Sequence, residues 1–236
     1  VFDHVTIRVS DLEAAWRFYE LALGAPTHDG VYVEWGEFSI TAGDAVTRNL
    51  HVGFGVEDRE AVSAWWKRLT EAGYRSDGEP GPRPEYTETY FGAFVLDPDG
   101  NSVEAVHHYR SRTGALDHVW LRTRDVAAAK RFYSTVAPVV GLELVRDQDD
   151  LVRWSDGAGS FTLMTGERPT ENVHLAFGAS GRAAVDTFHA AALAAGYTDN
   201  GVPGERPEYH RGYYGAFVLD SDGHNVEAVF HDRGAG

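Results

Sequence analysis

The sequence predicts an α+β fold of four βαβββ units, two in each half of the chain. Two observations predict it. A long repeat brings back Asp3-His4-Val5 as Asp117-His118-Val119, Phe18-Tyr19 as Phe132-Tyr133 and Leu50-His51-Val52 as Val173-His174-Leu175. It ends with Asp97-Pro98-Asp99-Gly100 and Glu104 returning as Asp220-Ser221-Asp222-Gly223 and Glu227. A shorter repeat lies inside it: His4, His51 and His118 are each followed seven positions later by an aspartate (Asp11, Asp58, Asp125), and His174 by Gly181. Self-similarity of this kind marks repeated supersecondary units.

The elements follow in order. Val5, Ile7 and Val9 alternate with His4, Thr6 and Arg8, as Val52, Phe54 and Val56 do with His51, Gly53 and Gly55. A period of two makes these strands, with the histidines on the face away from the apolar residues. Amphipathic stretches follow at Leu12–Leu23, Glu60–Ala72, Val126–Val136 and Arg182–Ala195 and read as helices. Ser10 and Glu13 suit a capping box at the first, and Gly73 and Gly196 suit stops after the second and fourth. Hairpins are expected from Val31–Trp35 with Phe38–Thr41 and from Val152–Trp154 with Phe161–Met164. Ala93–Leu96 with Ser102–Val106, and Ala216–Leu219 with Asn225–Phe230, flank Asp/Gly turns. Two Pro/Gly-rich loops, Glu79 to Tyr86 and Gly201 to Tyr209, precede the aromatic runs Tyr90-Phe91-Gly92 and Tyr213-Tyr214-Gly215. The expected domains are residues 1–110 and 115–233, each large enough to bury a core.

Composition narrows the function. The net charge of −15 repels phosphate backbones, so nucleic acid is not an expected partner, and it favours cationic small molecules. No run approaches the roughly 18 apolar residues of a membrane span, so no membrane partner is expected. There are no cysteines, hence no thiolate metal site and no cysteine nucleophile. With no leader-like segment ahead of Phe2, a cytoplasmic location is expected.

Each half carries two histidines and one glutamate at matching places: His4, His51 and Glu104, then His118, His174 and Glu227. His51 to Glu104 spans 53 positions, as does His174 to Glu227. Two imidazoles and a carboxylate can bind a divalent metal (Fe, Mn, Zn or Ni) and leave coordination positions open. Tyr86, Tyr90, Tyr209, Tyr213 and Tyr214 could line the mouth of such a cup, Trp120 would point into it, and Arg8 and Arg122 could meet an anionic substrate or the glutamates.

Four βαβββ units, a histidine opening each, and an Asp-Pro-Asp-Gly-Asn-x-x-Glu ending resemble the vicinal oxygen chelate superfamily. That group includes glyoxalase I, bleomycin-resistance proteins and extradiol dioxygenases. The resemblance spans nearly the whole chain as two tandem copies and implies mixed sheets curled into cups with the metal inside. It implies His4, His51, Glu104, His118, His174 and Glu227 as ligands. Read half by half, His118, His174 and Glu227 form the site of the second domain. An exchanged arrangement would instead join His4 with His174 and Glu227, and His118 with His51 and Glu104.

The fourth ligand of glyoxalase I falls near Phe38–Thr41, where the chain offers Ser39 and Thr41, with Thr162 and Thr165 in the second half. No carboxylate lies within it. Set against the extradiol signature, His210 has the right spacing before Asp220 and Glu227, with Phe217 at the tyrosine position and Ser221 at the proline; the first half has Thr87 and Phe94. This makes His210 an expected acid/base, with Tyr214 beside it. The expected activity is that of a metal-dependent extradiol-type dioxygenase, or an isomerase or lyase, on a small oxygen-bearing, aromatic or enolisable substrate. The alternative is a bleomycin-resistance-like protein that binds a drug or metabolite without catalysis. A homodimer is compatible with either.

Overall fold

The computed structural model describes residues 1–157 and 159–232. The expected end of the second domain at residue 233 lies outside them. All four units have the order βαβββ. Unit one holds β1 (His4–Val9), α1 (Leu12–Leu23), β2 (His28–Asp29), β3 (Val33–Trp35) and β4 (Phe38–Ala42). Unit two holds β5 (His51–Gly55), α2 (Arg59–Glu71), β6 (Ser76–Pro82), β7 (Phe91–Leu96) and β8 (Ser102–His107). Unit three holds β9 (Leu116–Thr123), α3 (Val126–Val136), β10 (Glu143–Asp147), β11 (Leu151–Ser155) and β12 (Ser160–Thr165). Unit four holds β13 (His174–Gly178), α4 (Arg182–Ala194), β14 (Thr198–Glu205), β15 (Tyr213–Leu219) and β16 (Asn225–His231).

The aspartates of the shorter repeat are helix caps. Asp11, Asp58 and Asp125 each accept a hydrogen bond from the backbone N–H three residues on, and Gly181, in the fourth unit, supplies no side-chain cap. The capping box expected from Ser10 and Glu13 is not formed. Ser10 Oγ donates to Asp99 Oδ1 at 2.6 Å, and Asp11 takes the cap position. Gly73 and Gly196 do follow their helices at positive φ. The Pro/Gly-rich segments differ from expectation: part of each is strand. β6 and β14 lie at sheet edges, with register shifts against β7 and β15. An edge tolerates the missing N–H of proline and the bulges that glycine allows.

Two eight-stranded mixed sheets result, in the orders β14-β15-β16-β13-β1-β4-β3-β2 and β10-β11-β12-β9-β5-β8-β7-β6. Units one and four build the first sheet, and units two and three the second. Each sheet therefore draws on both halves of the chain, and neither 1–110 nor 115–233 closes a cup by itself. The joints are antiparallel: β1 pairs with β13, Thr6 opposite His174, and β5 pairs with β9, His51 opposite Trp120. Helices α1 and α4 pack on the first sheet, α2 and α3 on the second. One continuous apolar core fills the space beneath them, with Phe18, Phe38, Phe132, Phe161 and Phe177 fully buried. No helix among the described residues is long and apolar enough to cross a membrane.

The spacing of Phe-Tyr and Asp-x-Asp-Gly, repeated in both halves, has one structural counterpart. Tyr19 Oη donates to Asp97 Oδ2, and Tyr133 Oη to Asp220 Oδ2, both at 2.9 Å and buried. Each bond ties a helix of one sheet to a turn of the other. Burial, then the nearby carboxylate, raises both phenol pKa values, so each tyrosine stays a donor. Tyr19→Phe leaves Asp97 with one donor fewer and is expected to lower stability by about 1–3 kcal/mol. Urea unfolding of Tyr19→Phe and Tyr133→Phe checks this.

Candidate metal centres

The faces turned away from the helices carry two clusters of His and Glu. In the first sheet, His4 Nε2 and His174 Nε2 are 3.1 Å apart, and Glu227 Oε2 lies 3.7 and 3.2 Å from them. In the second, His51 Nε2 and His118 Nε2 are 3.0 Å apart, with Glu104 Oε2 at 3.1 and 3.2 Å. The six residues expected from the repeat thus converge as two trios, in the exchanged arrangement. The half-by-half trio of His118, His174 and Glu227 is not formed, because β9 lies in the second sheet and β13 and β16 in the first.

Register explains the convergence. Glu104 on β8, Gly53 on β5 and His118 on β9 form one row across three strands. A Cβ at position 53 would collide with the ring of His118, so the bare backbone lets the imidazole lie over it. In the other cup the row is Glu227, Ala176 and His4. There a methyl group occupies the place, His4 stands farther from its glutamate, and its side chain is 25 % exposed against 4 % for His118. Gly92 and Gly215 make room for the carboxylates in the same way.

Each imidazole is fixed from behind through Nδ1. Asp3 Oδ1 holds His4 at 2.9 Å and Asp117 Oδ1 holds His118 at 2.8 Å. Ser102 Oγ lies 3.2 Å from His51 Nδ1, and Asn225 2.8 Å from His174 Nδ1. The acidic pair is anchored in turn: Asp3 Oδ2 to His231 at 2.9 Å, Asp117 Oδ2 to His108 at 3.0 Å. Tyr213 Oη donates to Glu227 Oε1 at 2.7 Å and Tyr90 Oη to Glu104 Oε1 at 2.9 Å, leaving each Oε2 to face the histidines. Such second-layer bonds set ring orientation and tautomer in metal sites.

The donor sets fit a divalent cation. Ligands at right angles about 2.1 Å from an ion stand about 3.0 Å apart, near the separations within both trios. Two Nε2 atoms at 3.0 Å need a proton or a cation between them. Glu227 Oε2 is buried without a hydrogen-bond partner among the described residues, since His174 approaches it outside hydrogen-bonding geometry. Burial raises the Glu227 pKa to about 7 and lowers that of His174 to about 4. In the other cup burial pulls His118 down, but hydrogen bonds to Asp117 and Glu104 outweigh it and its pKa rises to about 9. Burial opposes the ionisation of Glu104 too, and His118 and His51 more than offset it, so its pKa falls.

The structure moves three other expectations. Tyr214 turns away from the cup: its hydroxyl donates to Asp186 Oδ1 on α4 at 2.8 Å. Its neighbour Tyr213 points inward, because Glu227 pairs with Phe217 and the odd-numbered residues of β15 share its face. The repeat held this signal, since Tyr90 and Tyr213 have the spacing of His51 and His174. His210 is exposed and does not face the trio directly; its Nε2 meets His231 Nδ1 at 2.8 Å, which places it at the outer end of a chain through His231 and Asp3 to His4. Arg122 Nη1 donates to the carbonyl of Asn49 at 2.9 Å, and neither Arg8 nor Arg122 pairs with a cup glutamate. Arg153, which lines a cavity together with Arg110 and Asp117, was not singled out by sequence.

That cavity, of about 230 Å³, opens beside His118 and is walled by Tyr86, Tyr90, His108, Trp120 and Arg153. Opposite Trp120 this cup has Thr162, and opposite Thr6 the other has Ser39, whose Oγ is 2.8 Å from Thr6 Oγ1.

A sequence model of the Glyoxalase/Bleomycin resistance protein/Dioxygenase superfamily matches residues 1–105 and 115–228. The chain belongs to this superfamily. Glyoxalase I from Zea mays superposes with a TM-score of 0.70 over 98 % of this chain and 92 % of that one, at 20 % identity. A protein from Bacillus subtilis subsp. subtilis str. 168, described as a candidate dioxygenase, superposes with a TM-score of 0.68 over 98 % and 85 %, at 15 % identity. Likeness at this identity establishes the shared superfamily fold. No curated protein matches the chain.

The two glutamates respond differently to loss of charge. Ionised Glu227 is disfavoured in the folded protein, so its contribution costs stability as pH rises from the unfolded carboxyl value of 4.5 through about 7. In chelator-treated protein at pH 8, Glu227→Gln is expected to hold or raise stability, on the order of 1 kcal/mol. Glu104→Gln, which removes a carboxylate bonded to two histidines, is expected to lower it by about 1–3 kcal/mol. Urea unfolding midpoints of the two variants give the comparison.

Proposed function

We propose that this superfamily member is a metal-dependent enzyme acting on a small oxygen-bearing substrate. One ion would be held by His51, Glu104 and His118 and a second by His4, His174 and Glu227. The observation that carries this reading is the pair of donor triangles, each with two backed imidazoles and a buried carboxylate, one of them beside a cavity. A three-ligand face of this composition is the pattern of non-haem Fe(II) oxygenases and also suits Mn, Zn or Ni. When bound, the ion supplies Lewis-acid activation and a template for neighbouring substrate oxygens.

The chain's own residues do the rest. Asp117 and Asp3 hold the ligand imidazoles in one orientation. Tyr90 and Tyr213 keep one oxygen of each glutamate engaged, so that the other faces the centre. Trp120, Tyr86 and Tyr90 shape the second cup around a small ring and limit water there. His210 is a proton carrier only at the first cup, through His231; Thr87 stands in its place at the second. Extradiol-type ring cleavage and isomerase or lyase chemistry on an enolisable carbonyl both fit a three-donor face. Neither Ser39 nor Thr162 is a carboxylate, and the converging groups number three in each cluster among the described residues, Glu34 not among them, which speaks against a four-ligand glyoxalase centre. A protein that only sequesters its ligand has no need for six convergent donors.

Elemental analysis after reconstitution tests the reading. Two equivalents of Fe, Mn, Zn or Ni per chain are expected. Glu227→Ala is expected to leave one, Glu104→Ala one, and the double variant none. Unchanged metal content in the single variants would refute the ligand assignment.

A further inference from the structure

The two cups carry opposite charge at one matched position. In the second sheet Arg153, Thr162, Trp120 and His51 lie opposite one another across β11, β12, β9 and β5. The first sheet has Glu34, Ser39, Thr6 and His174 in the same row. Arginine and tryptophan thus face one centre where glutamate and threonine face the other. The ligands themselves are of the same kinds in both cups, whereas this row differs.

Arg153 is placed to receive an anion. Its Nε donates to Thr162 Oγ1 at 2.9 Å, and its guanidinium lies 5.6 Å from the Trp120 ring centre. Among the described residues no carboxylate comes within 4.0 Å of it. Burial, then Arg146, lowers its pKa, and the opposing field of Asp117, whose carboxylate is engaged by His108 and His118, does not offset this. Such a group gains from an oxyanion that its remaining N–H donors can grip in bidentate fashion. Flat walls stand beside it: Tyr86 meets Trp120 edge-on at 5.3 Å and Tyr90 at 4.9 Å. The cavity of about 230 Å³ exceeds the roughly 150 Å³ that encloses benzene, which leaves room for one ring and its substituents. With a net charge of −15, the chain as a whole repels anions, so anion binding needs a local cation of this kind.

We propose that the cup of His51, Glu104 and His118 takes a small, single-ring aromatic oxyanion, its charge on Arg153 and its ring against Trp120 and Tyr86, while the cup of His4, His174 and Glu227 does not. This rests on reading the second cup as the substrate site. The anion subsite itself is made of protein groups and is measurable with or without metal.

Calorimetric titration of the full-length chain with benzoate and 2-hydroxybenzoate, against benzamide and 2-hydroxybenzamide, tests it in chelator-treated and in Mn(II)-loaded protein. One site per chain is expected, with each anion bound at least tenfold more tightly than its amide. Arg153→Gln is expected to weaken the anions tenfold or more and leave the amides within about twofold; Arg153→Lys is expected to keep part of the preference. Equal binding of anion and amide, anion binding unchanged in Arg153→Gln, two equal sites per chain, or no binding of either anion would overturn the proposal. An Arg153-dependent preference in protein that takes up no metal would refute the metal reading alone. Normal metal uptake without the preference would refute the anion subsite alone.

Discussion

Two antiparallel strand joints carry the architecture of this protein. Through β1 with β13 and β5 with β9, each unit is completed by one from the other half of the chain. Side-chain direction in a strand alternates with a period of two, so a slip of one residue at either joint would turn His4 or His118 out of its cup. The cores beneath hold the register. Val5, Val52, Val119 and Leu175, the inward neighbours of the four histidines, are all fully buried. Apolar burial on one face therefore fixes the polar geometry on the other.

That geometry concentrates charge where it is poorly solvated. Glu104 and Glu227 are both 1 % exposed, and each meets two imidazole nitrogens. In the tighter trio His51 Nε2 makes a hydrogen bond with Glu104 Oε2 at 3.1 Å. The looser one leaves a carboxylate oxygen without a hydrogen-bond partner among the described residues. Ala176 stands beside His4 where Gly53 stands beside His118, and His4 lies 3.7 Å from its glutamate against 3.2 Å for His118. Duplication supplied two similar centres, and small changes under and around the rings made them unequal.

Much of this was legible in the sequence, because each feature that repeats serves the same contact twice. The six donors, the four helices and the paired turns could be read directly. Strand partnership could not: the same six residues satisfy a site within each half or one exchanged between halves, and only edge pairing decides. Tyr213 and Tyr214 both precede the strand expected from Ala216, and only the observed start of β15 at Tyr213 gives these two aromatics a phase. Arg153 is not legible from the repeat, because its counterpart is Glu34 and the copies diverge there. The Pro/Gly-rich segments hid β6 and β14, since edge strands with bulges carry little periodic signal.

The central claim is that donors from opposite halves of the chain share each ion. Anomalous diffraction from crystals grown with Mn(II) addresses it directly. The account predicts two peaks per chain, one bounded by His4, His174 and Glu227 and the other by His51, Glu104 and His118. Peaks at other residues, or none at these two trios under saturating metal, would contradict it.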